Sequence, residues 1–254
     1  MARLARIVLP GVAHHVTQRG NRRLPVFFSD EDRRAYLELL AAAAKDCGTR
    51  CLAWCLMDNH VHLILVPETR DGLRAMLGEA HRRYTRMVNF REGWCGHLFQ
   101  ARFASYPMDD AHLMAAVRYV ELNPVAAGMV ERAENWAWSS ARSHIAGRRV
   151  KGDPLTDVAA LGQHVRNWRA MLRQGLAASD LGPKGEAVSA AIESHLSTGR
   201  PLAADDWIAA QEKASGRTMA RRKPGPKPSR PNASAPSRRD TRHRNQVATG
   251  TALA

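Results

Sequence analysis

Two short β-type segments joined by a very tight connection constrain the fold of this chain most strongly. Residues 50–57 and 60–66 are largely apolar, and only Met57-Asp58-Asn59 connects them, which favours two neighbouring strands. Helical patterns flank the pair, one over residues 29–48 and another over residues 72–89. The first of these begins with a serine as N-cap and stops at a glycine. The pair of strands is therefore predicted to lie between two helices.

Two further β-type segments, at residues 12–18 and 101–107, complete a β-α-β-β-α-β order. A further helix is predicted from Asp109 or Asp110 to about Leu122, and Pro124 should end it because proline lacks the helical N–H. This order predicts an α+β fold, a ferredoxin-like βαββαβ antiparallel sheet with helices on one face. A mixed sheet with another strand order is the alternative, since strand pairing cannot be read from the sequence.

The charge of the chain indicates a polyanionic partner. Its 254 residues carry a formal net charge of +14, and nucleic acid is the usual partner of such a basic protein. No stretch is apolar and long enough to span a membrane, and we expect no signal peptide. The four cysteines form neither a CxxC pair nor a zinc-ligand spacing, which favours reduced thiols in a cytoplasmic protein. With nucleic acid as its partner, such a protein is expected to be nucleoid-associated.

Three regions are predicted along the chain. Residues 1–150 hold the βαββαβ domain, against which Trp136 and Trp138 are expected to pack. Residues 151–215 are predicted to form a helical extension of unknown role, and residues 216–254 a disordered basic tail, because they offer little to bury. The tail region contains ten Lys or Arg and one acidic residue, a net charge of +9. Within the extension, helical patterns lie around residues 158–172, 185–196 and 204–214.

The sequence Asp58-Asn59-His60-Val61-His62 holds the first candidate site. Side chains alternate along a strand, so His60 and His62 should point to the same face of the sheet. Two neighbouring imidazoles suit a divalent metal ion. A bare His-x-His is more often a polar strand end with two solvent-facing histidines, so the interpretation needs a second element.

Tyr119 and Asn123 provide that element on the predicted helix before Pro124. Being four residues apart, they share one helix face. A tyrosine can act as a covalent nucleophile, and an amide oxygen suits Mg²⁺ or Mn²⁺. A metal ion held by His60, His62 and Asn123 would polarise a phosphodiester that Tyr119 attacks. Taken alone, Tyr119 is explained as a core residue and Asn123 as a helix C-cap.

These motifs resemble the two signature regions of single-tyrosine HUH transposases, most closely the REP-associated tyrosine transposases. The resemblance covers roughly residues 5–145. It rests on Asp58-Asn59-His60-Val61-His62 and Tyr119-Val120-Glu121-Leu122-Asn123-Pro124-Val125, together with His15-Val16-Thr17-Gln18-Arg19-Gly20-Asn21, Val26-Phe27-Phe28, Phe99-Gln100-Ala101-Arg102-Phe103 and Trp138-Ser139-Ser140-Ala141.

The resemblance implies a ferredoxin-like enzyme that cuts and rejoins single-stranded or hairpin DNA. It implies Tyr119 as the nucleophile of a 5′-phosphotyrosine intermediate, with His60 and His62 as ligands of Mg²⁺ or Mn²⁺. Asn123 occupies the position where related enzymes carry a third polar ligand, often Gln. Monomer and homodimer are both compatible with the sequence. The DNA contacts expected on the body are Arg19, Asn21, Arg22, Arg23, Arg82, Arg83, Arg86 and Arg102.

The same motifs disfavour several other functions. A histidine-triad hydrolase would carry a third histidine where Ile64 stands, and a zinc deaminase needs paired cysteines. A replication initiator or relaxase shares the histidine pair but usually belongs to a larger chain. The main alternative is a non-catalytic DNA- or RNA-binding module on the same fold, and the combination of His60, His62 and Tyr119 argues against it.

Overall fold

A computed structural model of the chain describes residues 5–176 and 187–220. Within these residues lie four strands and seven α-helices. The strands are β1 His14–Arg19, β2 Thr49–Leu56, β3 His60–Pro67 and β4 Ala104–Pro107. The helices are α1 Asp30–Asp46, α2 Gly72–Glu92, α3 Asp110–Ala126, α4 Ala141–Ala146, α5 Trp168–Arg173, α6 Val188–Thr198 and α7 Asp205–Ser215.

The four strands form one antiparallel sheet in the order β2-β3-β1-β4. With α1 between β1 and β2 and α2 between β3 and β4, this is the ferredoxin-like βαββαβ arrangement, and the fold prediction is confirmed. In the central pair, Thr17 lies opposite His62 and Arg19 lies opposite His60. The end of β1 and the start of β3 are therefore neighbours, which positions the candidate site at this end of the sheet.

Strand alternation divides the sheet into two buried faces. Val61, Leu63 and Leu65 of β3 pack with α1 and α2 in one core. Ile64 and Val66 point to the other face and pack with α3, α5 and α6 in a second core. The two helices of the βαββαβ unit thus share one face, as predicted, while the further helix α3 covers the face on which His60 and His62 lie.

The boundaries of α1 follow from local chemistry. The Ser29 hydroxyl accepts a hydrogen bond from the Asp32 amide, and the Asp32 carboxylate accepts one from the Phe28 amide at 2.9 Å. Orphan N–H groups at the helix start are satisfied in this way. At the other end Gly48 has a φ of +60°, the left-handed conformation that glycine adopts at a helix stop. Both predicted ends of this helix are observed.

The predicted end of α3 was wrong. Pro124 does not stop the helix, which continues to Ala126. A proline removes one N–H and crowds the preceding turn, but the amides that follow it can still donate to helical carbonyls. Beyond it, the Ala127 amide bonds to the Asn123 carbonyl. Asn123 therefore lies inside the last turn of α3 and is not its C-cap.

The segment after α3 returns to the sheet through its tryptophans, as expected. Trp136 Nε1 donates to the Leu56 carbonyl at 3.1 Å, and the Ser140 amide donates to the Trp54 carbonyl at 2.9 Å. Both acceptors belong to β2. Residues 138–140 therefore extend the sheet beyond its β2 edge.

A buried carboxyl joins α3 to the segments that follow. Glu121 is fully buried and accepts hydrogen bonds from Ser140 Oγ at 2.6 Å, His144 Nδ1 at 2.5 Å and Trp168 Nε1 at 2.7 Å. Ser140 precedes α4, His144 lies within it, and Trp168 begins α5. Two separate segments, the one that forms α4 and the one that begins α5, thus converge on one side chain of α3, which holds both against that helix.

The helical patterns of residues 151–215 are only partly realised. The pattern over residues 158–172 forms only α5, because residues 158–167 form turns. The patterns over residues 185–196 and 204–214 correspond to α6 and α7. Residues 216–220, assigned from sequence to the tail, lie against the body: Met219 is 1% exposed beside Ile7 and Leu9. The remainder of the predicted tail, residues 221–254, lies outside the described residues.

None of the helices in the described part of the chain is both long and apolar enough to cross a membrane. All four cysteines are free: Cys51 and Cys55 are buried, Cys47 is half-buried and Cys95 is exposed.

Candidate catalytic site

His60 and His62 lie side by side at the start of β3, on the face covered by α3. Their ring centroids are 5.0 Å apart. His62 is 5% exposed, and His60 is half-buried toward the end of the sheet. The shared face predicted from strand alternation is therefore observed, but the pair is not a solvent-facing strand end.

The hydrogen bonds of the two rings indicate which of their nitrogens can be unprotonated. Asn59 Nδ2 donates to the Arg23 carbonyl, so its Oδ1 is the atom 2.6 Å from His60 Nδ1. An amide oxygen only accepts, so His60 Nδ1 carries the proton and Nε2 is the unprotonated nitrogen. His62 Nδ1 lies 3.0 Å from His15 Nε2, and His15 Nδ1 lies 3.0 Å from the Tyr106 hydroxyl. The proton assignment in which His62 Nδ1 donates leaves its Nε2 unprotonated as well.

Tyr119 of α3 stands over these histidines. Its ring centroid is 5.8 Å from that of His62 and 6.0 Å from that of His15. Asn123, one turn further along α3, is within hydrogen-bonding reach of both Tyr119 and His60. The helix spacing that puts Tyr119 and Asn123 on one face therefore brings both against the two histidines of the sheet.

Burial determines the charge of the two histidines. It lowers the pKa of His60 to about 4, with Arg19 acting in the same direction and the hydrogen bond to Asn123 opposing. The pKa of His62 is also well below its usual range, through burial and then through His15, His60 and Arg19. Both rings are neutral at pH 7, which is the state in which imidazole binds a metal ion.

The phenol of Tyr119 is protonated at neutral pH. Burial raises its pKa and the nearby Glu193 of α6 adds to the effect, while Asn123 and Arg19 oppose it. Asn123 and Arg19 thus favour the phenolate, the form in which an attacking oxygen is strongest.

The donor atoms of this site suit a divalent cation. His60 and His62 present ring nitrogens on one face, and Asn123 offers an amide oxygen beside them. Nitrogen and oxygen donors of this kind fit Mn²⁺, and the amide oxygen fits Mg²⁺. Within the described residues no cluster of three or more His, Cys, Asp or Glu side chains could hold a metal ion, so such a site depends on the amide.

One part of the expected DNA contacts surrounds the mouth of this site. Arg19 is exposed at the end of β1, opposite His60, and its charge acts on His60, His62 and Tyr119. Asn21, Arg22 and Arg23 follow in an exposed 3₁₀ turn, in which both arginines adopt the left-handed backbone conformation. A Cβ on the preceding Gly20 would lie 2.1 Å from the Leu24 carbonyl oxygen, so this turn requires glycine there.

The other part lies on the opposite face of the sheet. Arg82, Arg83 and Arg86 are exposed on α2, and Arg102 follows the loop before β4. Arg82, Arg86 and Arg102 line one groove, whereas Arg83 does not. The eight predicted contacts therefore form two separate groups, which the sequence could not distinguish.

His15 and Tyr106 also lie in this site, where the sequence did not predict them. His15 is fully buried and its ring stacks on His62 with centroids 5.2 Å apart. Its place in His-Val-Thr-Gln, two residues before Thr17, puts it on the same strand face as Arg19. That periodicity was the available signal, but it became informative only once β1 was known to pair with β3.

Comparisons with known proteins relate this chain to transposases. Residues 10–123 match the family model "Transposase IS200 like". The structure of a REP-associated tyrosine transposase bound to a REP hairpin matches 62% of this chain and 93% of its own, with 21% identity and a TM-score of 0.51. A putative transposase from Deinococcus radiodurans R1 matches 47% of this chain and 96% of its own, with 21% identity and a TM-score of 0.34. No curated protein sequence matches this chain.

Proposed function

We propose that this chain, whose resemblance to the IS200-like transposases is confirmed over residues 10–123, is a metal-dependent transposase that cuts and rejoins single-stranded DNA at hairpins or palindromes. The observation that carries the proposal is the placement of Tyr119 against His60 and His62, with ring centroids 5.8 Å apart for Tyr119 and His62. Three residues from two distant segments meet there, as a phosphoryl-transfer site requires.

Tyr119 is the nucleophile of the proposed reaction. Its phenol oxygen attacks the scissile phosphorus, forming a 5′-phosphotyrosine bond as the bond to the 3′ oxygen breaks. The phenol proton leaves and the 3′ oxygen gains one, so charge is balanced. In the reverse step a 3′-OH attacks the phosphotyrosine, which restores the phosphodiester and frees Tyr119.

The other residues of the site hold and orient the phosphate. Arg19 contacts a phosphate oxygen and stabilises the phenolate of Tyr119, and Asn123 hydrogen bonds that phenol. His60 and His62, with Asn123, would hold Mg²⁺ or Mn²⁺, which when bound supplies a Lewis acid for the phosphodiester. His15 orients the ring of His62 through its 3.0 Å hydrogen bond.

The wider assignments are parts of the same proposal. Residues 1–150 would form the catalytic domain, residues 151–215 a helical extension and residues 216–254 a basic tail that attracts DNA. The transposase described above was solved with a REP hairpin, and we propose hairpin DNA as the partner of this chain too. The protein would act on cytoplasmic DNA, as a monomer or a homodimer.

A covalent-adduct assay tests the proposal against a non-catalytic DNA- or RNA-binding module. Tyr119→Phe keeps the ring and removes the attacking oxygen, so it should bind hairpin DNA as the wild type does and form no adduct. Tyr84→Phe is the matched control, because Tyr84 is buried against Tyr36 of α1 and its hydroxyl donates to the Val26 carbonyl, away from the proposed site. Adduct at wild-type yield in Tyr119→Phe, or none in the wild type with Mg²⁺ or Mn²⁺, would refute the assignment.

A further inference from the structure

Two large aromatic side chains near the end of α2 are exposed. Phe90 is 91% exposed and Trp94, just beyond the helix, is 51% exposed. Exposed single hydrophobic residues are common, but both of these rings line the same groove. They are available to a ligand without any rearrangement of the core.

The groove is strongly basic. Its volume is about 870 Å³, and among the described residues that line it there is no Asp or Glu. Arg74 and Arg82 each pair with a carboxylate one turn earlier on the helix, whereas Arg86 and Arg102 are exposed. Five arginines lie along it: Arg6, Arg74, Arg82, Arg86 and Arg102. Such a lining fits an anionic ligand rather than an apolar peptide.

Backbone hydrogen bonds and a ring contact hold Trp94 in place. Gly93 ends α2 with a φ of +66°, and the Trp94 amide then bonds to the Asn89 carbonyl at 2.9 Å. The Asn89 side chain donates to the Gly96 carbonyl at 3.0 Å. The Trp94 ring also meets the edge of Phe28, with centroids 5.6 Å apart. A ring held in this way loses little conformational entropy when it binds.

The loop that borders the groove also reaches the catalytic end of the sheet. The Gln100 amide donates to the Arg19 carbonyl, and the Asn21 amide donates to the Leu98 carbonyl, both at 2.8 Å. Arg19 lies opposite His60. A single DNA strand that leaves the groove along this loop would therefore arrive at the mouth of the site that contains Tyr119.

We infer that this groove binds unpaired bases of single-stranded DNA, with Phe90 and Trp94 as stacking surfaces and the arginines on the phosphates. Aromatic rings combined with a positive groove are the usual means of holding single strands. Duplex DNA fits less well, because its bases are already stacked on one another. The inference rests on the proposed function for its choice of DNA as the ligand.

Fluorescence of 2-aminopurine in a single-stranded oligonucleotide reports stacking directly, and anisotropy of the same oligonucleotide gives its Kd. We expect Phe90→Ala and Trp94→Ala each to weaken binding by about 5- to 150-fold and to reduce the quenching of the probe. Phe90→Tyr and Trp94→Phe keep a ring and should retain most of both signals. Met129→Ala, which alters a residue 37% exposed outside the groove, should change neither.

Salt dependence separates stacking from phosphate contacts. Phe90→Ala should leave the slope of log K against log salt unchanged, whereas Arg86→Ala should reduce it by about 0.7. Arg70→Ala is the control, since Arg70 is exposed just beyond the opposite end of β3. Alanine variants that bind single strands within two-fold of the wild type, or that lose duplex binding equally, would overturn the inference. Tighter binding of single-stranded RNA of the same sequence would overturn the assignment to DNA.

Adduct formation at saturating DNA distinguishes this inference from the proposed function. Phe90→Ala should form the Tyr119 adduct only at higher DNA concentrations than the wild type needs, in proportion to its weaker binding. If the wild type forms adduct but the aromatic substitutions leave single-strand binding intact, the groove is wrongly assigned and the catalytic proposal stands. If single strands bind through the aromatic rings but no adduct ever forms, the groove is supported and the catalytic proposal fails.

Discussion

Replacing Glu121 tests how the segments after α3 are attached to that helix. Its carboxyl accepts hydrogen bonds from Ser140, His144 and Trp168, and all four side chains are buried. Glu121→Ala leaves three buried donors without this acceptor. Each unsatisfied donor costs about 1–3 kcal/mol, and losing one member of a buried polar cluster typically costs about 3–5 kcal/mol.

We therefore expect Glu121→Ala to lower the free energy of unfolding by about 4 kcal/mol, a large part of the 5–15 kcal/mol typical of a domain. Urea unfolding followed by circular dichroism measures the change. Trp168→Phe keeps most of the ring and removes one donor, so it should cost about 1–3 kcal/mol. Glu79→Ala removes a carboxylate that is 45% exposed and paired with Arg82, and it should cost less than about 1 kcal/mol.

The double variant Glu121→Ala/Trp168→Phe completes a thermodynamic cycle. Because the two side chains share a hydrogen bond, their effects should fall short of additivity by about 0.5–3 kcal/mol. Full additivity, or a loss below 1 kcal/mol in Glu121→Ala, would show that α5 is not fastened to α3 through this carboxyl.

Three further predictions concern the metal, pH and the tail. His60→Ala and His62→Ala should each abolish adduct formation in Mg²⁺ or Mn²⁺ and leave hairpin binding largely intact, because arginines supply the affinity; cleavage at the wild-type rate would refute the metal assignment. Burial lowers the pKa of His14 to about 4, below its value of about 6.5 in the unfolded chain, so its stabilising effect is complete above pH 6.5 and is lost as the pH falls toward 4. Between pH 7 and 5 this costs about 2 kcal/mol, and His14→Asn should unfold with a smaller pH dependence; an unchanged dependence would contradict the assignment. Deleting residues 221–254 removes nine Lys or Arg and one Asp, a net charge of +8, and should weaken non-specific DNA binding at constant melting temperature. Deleting residues 217–254 also removes buried Met219 and should lower the melting temperature. Equal melting temperatures for the two truncated proteins would show that Met219 adds no stability.

The order of elements and the limits of most of them could be predicted from local signals. The serine cap and glycine stop of α1 and the tight connection before His60 are encoded within a few residues each. The end of α3 could not be predicted from Pro124, because the proline lacks only its own N–H and the Ala127 amide beyond it still bonds to the Asn123 carbonyl. Residues 158–167 illustrate the same limit, since their apolar spacing suits a helix but the chain forms turns there.

The sequence predicted part of the arrangement of the residues proposed for catalysis. Strand alternation put His60 and His62 on one face, and helical spacing put Tyr119 and Asn123 on one face. Strand alternation put His15 on the same face as Arg19, but this became informative only through the pairing of β1 with β3, because its partner His62 is 47 residues away. The sequence also did not indicate that the predicted DNA-binding arginines form two separate groups, because exposed charges follow no local pattern.

By itself, the sequence determined which side chains share a face, because the periods of strand and helix are properties of the backbone. Only the tertiary structure decided which faces meet. The pairing of β1 with β3 brought His15 to His62 and Arg19 to His60, and the packing of α3 on that face brought Tyr119 to both. The exposed Phe90 and Trp94 share a groove with Arg102 for the same reason. Such contacts depend on long-range pairing and packing, which no local pattern specifies.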